Sequence, residues 1–174
     1  MEIPISEMMV GDKLAFDGSG PVFKVLSLVL GVFEPSWRKR KRKPWHLAFA
    51  SKKVEDGWML IEALKGGVQE KFHATEDLEA KSRAYRTLDK TPSKQKLNQF
   101  RTMYLGRPYD VTAYFGVVIG YFVKKWFSFS FRIVDAEFMC WETVCAWDRF
   151  MGKPLQPNWE YPILHKIMEK LESS

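Results

Sequence analysis

Apolar positions recur along this chain in short blocks whose spacing changes from one block to the next. After Gly11-Asp12 comes an apolar strand candidate, Lys13 to Phe16, closed by the turn residues Asp17-Gly18-Ser19-Gly20-Pro21. Val22 to Phe33 is densely apolar, with Lys24 its one charge, and reads as a short helix packed on the core. Trp45 to Ser51 and Trp58 to Leu64 both have strand character. Lys52-Lys53-Val54-Glu55-Asp56-Gly57 between them carries turn chemistry, so a hairpin is predicted. Gly66-Gly67 turns the chain again, and Val68 to Phe72 adds a third strand to the same sheet.

The period then lengthens. Thr91 as N-cap with Pro92 at the first helical position, followed by Leu97, Phe100 and Tyr104, predicts a helix over 92–105 that Gly106 ends. Residues 111–126 are aromatic and apolar without a readable period, whereas Phe127-Ser128-Phe129-Ser130-Phe131 alternates as a strand does. Trp141, Val144 and Cys145 share a helical face behind Asp135 and Glu137, which gives a helix over 137–151 ending at Gly152. A last amphipathic helix is expected over 162–172. The pattern is that of an α+β protein with an antiparallel sheet packed against helices, and 174 residues favour one domain, 1–174.

Composition narrows the classes. With 46% hydrophobic and 15% aromatic residues, the chain has too much apolar matter to stay disordered. The longest uncharged stretch, Val111 to Val123, falls short of the roughly 20 residues that a membrane-spanning helix requires. Glu2 and Glu7 stand where a secretory signal carries lysine or arginine, so no export signal is expected, and the protein is placed in the cytoplasm or in a virion.

The formal charge is +6, and Arg38, Lys39, Arg40, Lys41, Arg42 and Lys43 alone supply that excess. Basicity is therefore local, which argues against a protein that coats nucleic acid. The run is either a solvated connection between two elements or an anion-contacting loop.

Candidate chemistry centres on a thiol. Cys140 and Cys145 cannot make a disulfide framework and do not have zinc-site spacing. Cys140 falls in the first turn of its predicted helix, where backbone N–H groups and the helix dipole favour a thiolate. Cys145, about 140° further round the axis, belongs to the apolar face and reads as core. A nucleophilic thiol requires a base and a group that orients the base. If the hairpin pivots at Val54, His46 stands directly opposite Glu62, and the carboxylate can fix the imidazole tautomer. The same two residues also suit a polar pair at a sheet rim. His73, in a charged stretch, and His165, in the terminal helix, have no partner pattern and read as surface residues.

Leu105-Gly106-Arg107-Pro108-Tyr109-Asp110 and, some thirty residues on, Met139-Cys140-Trp141-Glu142-Thr143-Val144 resemble the Leu-Gly-x-Pro-Tyr and Cys-Ser-x-Leu-Val signature of NlpC-type papain-fold cysteine hydrolases. Trp45-His46-Leu47-Ala48 and Ile61-Glu62-Ala63 precede the cysteine. That order is similar to the circularly permuted, YiiX-like branch, over about residues 10 to 160. The resemblance implies a papain-like fold with its nucleophile at a helix N-terminus. It implies Cys140 as nucleophile, His46 as base and then acid, Glu62 as the residue orienting His46, and Tyr109 near the thiolate as an aid to oxyanion binding. Trp141 stands where the family has a small serine, which alters the substrate entrance.

The implied reaction is acyl transfer to water through a thioester, with no metal or organic cofactor. Relatives cut peptides of bacterial cell walls, and others of the permuted branch act on lipid or acyl substrates. A cell-wall peptide amide is the expected substrate. A lipid amidase, esterase or acyltransferase on a membrane-associated substrate, and a papain-fold module that serves a larger assembly without catalysis, are the alternatives. Arg38 to Lys43, just ahead of His46, suits an anionic polymer or a phospholipid surface.

Overall fold

The computed structural model describes residues 1–19, 24, 27, 28, 39, 43–108, 140–153 and 164–173. Its centre is a six-stranded antiparallel sheet built from β1 (Glu2–Ile3), β2 (Lys13–Asp17), β3 (Pro44–Val54), β4 (Gly57–Leu64), β5 (Gly67–Ala74) and β6 (Ser82–Tyr85), in the order β1-β6-β2-β3-β4-β5. The helices among the described residues are α1 (Thr75–Lys81), α2 (Lys94–Tyr104), α3 (Cys140–Phe150) and α4 (Leu164–Ser173), with a 3-10 turn at Ile5–Glu7. This is the expected α+β arrangement. None of these helices is long and apolar enough to cross a membrane.

Both faces of the central strands are covered, which explains why β3 reads as a nearly unbroken apolar run. Leu47 and Phe49 point to the layer of α2, α3 and α4, packing with Val144, Trp147, Phe100 and Met168. Ala48 and Ala50 point the other way, against Trp58, Leu60, Ile5, Met8 and Leu78 of α1. Small alanines on that side let the N-terminal segment lie close to the sheet.

The predicted strands within 13–16, 45–51, 58–64 and 68–72 and the helices around 92–105, 137–151 and 162–172 all have counterparts, with shifted ends. Of the helix expected over 22–33, only Lys24, Ser27 and Leu28 are described, and they are helical. The strand expected over 127–131 lies outside the described residues. The cap of α2 is Ser93, whose hydroxyl accepts from the Lys96 N–H at 3.3 Å, rather than Thr91. Two residues nearer the helix, Ser93 reaches the orphan N–H that Thr91 cannot.

Lys13, in a strand read as apolar, is fully buried and pairs with the equally buried Asp148 of α3, with Thr87 bonding both. Burial lowers the lysine's pKa and raises that of the carboxyl, and each partner opposes the other's shift. The pair ties α3 to β2 at a site where either charge alone would be severely destabilising.

The hairpin differs from expectation in a way that matters for the site. Val54 pairs with Gly57, so the loop is the two residues Glu55-Asp56, and Lys52 and Lys53 continue the strand with their side chains exposed. The register slips between Ala50 and Lys52, leaving Ser51 as a bulge whose hydroxyl donates to the Met59 carbonyl at 2.9 Å. Ala48, not His46, therefore stands opposite Glu62.

Candidate active site

The one-residue bulge decides which side chains meet. Continued without it from the Val54–Gly57 pair, the ladder would set Glu62 opposite Phe49 and send it to the α2–α4 layer. With Ser51 extra, Glu62 shares the face of Ala48 and His46, and His46 is its diagonal neighbour. The diagonal is bridged: His46 Nε2 lies 2.6 Å from Glu62 Oε2. Glu62 is almost wholly buried, with 2% of its side chain exposed, whereas His46 keeps 16%.

The imidazole also engages Cys140. The charge and hydrogen-bonding capacity of the sulfur act on the ring, which Glu62 already holds at Nε2. Cys140 is the first residue of α3 as described and is buried beside Leu47 and Val144. α3 docks on the face of β3 that carries Leu47 and Phe49. Phe49 stacks on Trp147 at 4.6 Å and 9°, and Phe100 closes on both edge-on at 5.3 and 5.2 Å.

Electrostatics follow from this packing. Burial disfavours the imidazolium of His46, but the charge and hydrogen bond of Cys140, then those of Glu62, outweigh it and raise the pKa to about 10. Burial likewise opposes the Glu62 carboxylate, yet hydrogen bonds from His46 and His73 and the charges of both rings hold it down at about 2. Cys145 is different. Burial first, then Asp148 and Glu142, push its thiol up to about 12, and the side chain packs at the edge of the core.

His73 is the residue that the sequence pattern missed. It pairs across the sheet with Trp58, its Nε2 lies 2.9 Å from Glu62 Oε1, and its ring sits 5.5 Å from that of Phe16, which also touches His46 at 5.6 Å. It is therefore a partner of the buried carboxylate and not a free surface histidine, with 20% of its side chain exposed. The alternation Gln69, Lys71, His73 on β5 was the available signal, since it puts His73 on the face of Trp58, Leu60 and Glu62. Among the described residues no group of three histidine, cysteine or acidic side chains is placed to hold a metal ion.

The remaining candidates are less visible. Tyr109, Arg38, Arg40, Lys41, Arg42 and residues 111–131 lie outside the described residues, as does the side chain of His165. Lys39 is helical and exposed, and the Lys43 carbonyl accepts from the Gly18 N–H at 3.0 Å. The segment leading to Tyr109 is anchored: Val68 N–H donates to the Arg107 carbonyl and Gly106 N–H to the Val68 carbonyl, both at 2.8 Å. Gly67 permits this approach, having φ +100° and no Cβ, where one would stand 2.4 Å from the Arg107 oxygen.

No family model, no curated protein and no solved structure matches the chain.

Proposed function

We propose that this chain is a cysteine hydrolase of the permuted NlpC type, with a papain-like fold, cleaving an amide bond in cell-wall peptides. The observation that carries the reading is the His46 ring bonded to the buried Glu62 carboxylate at 2.6 Å, with its pKa raised by Cys140. Those three groups supply a nucleophile, a base and an orienting carboxylate.

In the proposed cycle, His46 holds the Cys140 proton as an imidazolium and the thiolate attacks the carbonyl carbon. The tetrahedral intermediate collapses, the C–N bond breaks, and the leaving amine takes the proton from His46. Water then gives a proton to His46 and attacks the thioester carbonyl. Collapse of that second intermediate releases the acid and restores the thiolate. Glu62 keeps Nε2–H pointed at itself and Nδ1 at the sulfur throughout. Tyr109, by the resemblance of Leu105 to Asp110 to the family motif, assists the oxyanion. The basic run 38–43 draws anionic wall polymers toward His46.

Two measurements test this. Iodoacetamide is expected to alkylate Cys140 rapidly near neutral pH and Cys145 slowly; equal, slow labelling of both speaks for a non-catalytic module. Wild type and Cys140→Ala are then incubated with cell-wall peptides and with phospholipids, and products read by mass spectrometry. Release from peptides by wild type alone supports the proposal, and change in the lipid pool alone moves the substrate to an acyl lipid while leaving the mechanism in place.

A further inference from the structure

We infer that His73 is a positioning residue for this site, holding Glu62 in the rotamer and charge state that orient His46. The inference rests on the reading of Cys140, His46 and Glu62 as the reacting set.

Glu62 is a carboxylate inside protein, and both of its oxygens need donors. His46 satisfies Oε2 at 2.6 Å and His73 satisfies Oε1 at 2.9 Å. Without the second donor, Oε1 is left as a buried acceptor that has lost the donor His73 gives it. The carboxyl then turns toward water or takes up a proton, and either change loosens its grip on His46 Nε2–H. His73 also packs against Phe16, whose ring lies 5.6 Å from that of His46 and 5.5 Å from that of His73. The groups near His73 are thus Glu62 of β4, with His46 of β3 behind it, Phe16 of β2, and Asp77 of α1. The Asp77 carboxyl is drawn down chiefly by Lys81 and in small part by His73. The arrangement assigns His73 an indirect role: it touches neither sulfur nor substrate, and its effect passes through Glu62.

The test uses the full chain and iodoacetamide, with the rate of Cys140 labelling followed from about pH 5 to 9. His73→Leu keeps the contact with Phe16 and removes the donor; His73→Gln places an N–H where Nε2 stood; His73→Asn is too short to do so. His73→Leu and His73→Asn are expected to label about three- to tenfold more slowly near pH 6, with the profile moved toward higher pH, while His73→Gln stays within about twofold of wild type. Wild-type behaviour of the leucine variant across the range, or a glutamine variant as slow as the leucine one, overturns the inference. If the leucine variant does not fold, the glutamine and asparagine pair decides by the same criterion. His46→Ala separates the two levels of argument: if it labels Cys140 as fast as wild type, the reading of the site itself fails and this inference with it. A slow His46→Ala beside an unaffected His73→Leu removes His73 alone.

Discussion

Phe49 of β3 and Trp147 of α3 stack nearly face to face, 4.6 Å between centroids and 9° between planes. The contact fixes α3 against the Phe49 face of β3. Trp147 is fully buried, so Trp147→Ala is expected to destabilise the chain by about 3–5 kcal/mol, and Trp147→Phe by much less. Urea denaturation measures this. Cys140 labelling in the folded alanine variant should also slow, since α3 loses its reference point.

Glu62→Gln removes the charge that two imidazoles share. His46 then keeps only Cys140 as a charged partner, and its pKa is expected to fall below about 10, read by histidine NMR titration. On the proposed mechanism, hydrolysis drops by about 10²- to 10⁴-fold, because the ring loses its fixed tautomer. Retained activity would remove Glu62 from the mechanism.

Stability should depend on pH in opposite senses at the two ends of the scale. The Glu62 carboxyl titrates at about 2 in the folded chain against an ordinary 4.5, so its contribution is present above 4.5 and lost as pH falls from there toward 2. His46 is raised from 6.5 to about 10, so its contribution is full below 6.5 and lost as pH climbs toward 10. Denaturant midpoints followed across this range should decline at both ends. Glu62→Gln should flatten the acid decline and Cys140→Ser the alkaline one.

Cys145→Ala is expected to leave the fast labelling phase unchanged, since a thiol pushed up to about 12 contributes almost no thiolate near neutrality. Peptide mapping after brief iodoacetamide treatment should place the label on Cys140. Fast labelling at Cys145 contradicts the assignment of its thiol to the core edge.

Gly67→Ala forces a Cβ to within 2.4 Å of the Arg107 oxygen at φ +100°. A loss of about 1–3 kcal/mol is expected from strain alone. The two hydrogen bonds between Val68 and the 106–107 backbone should open, which faster amide exchange at Val68 and Gly106 would report.

What the sequence determined by itself was local. Alternating or helically spaced apolar residues marked β2 to β5 and α2 to α4, because those periods express which side of an element faces the core. They also put Cys140 near the start of a helix and His46 and Glu62 on neighbouring strands. Short elements escaped: α1 buries one residue, Leu78, and has no side-chain cap, while β1 and β6 are too brief to show a period and exist by pairing, β1 with β6 across some eighty residues and β6 also with β2.

Tertiary structure alone decided the rest. The Ser51 bulge, invisible in a run of apolar residues, sets the register that turns Glu62 to the side of His46. Lys13 lies in the interior because Asp148, 135 positions away, meets it there. His73 gains a partner through the pairing of β4 with β5. In each case the side chain is fixed by its partner on another strand or helix, and the apolar spacing that marks an element does not say which partner that is.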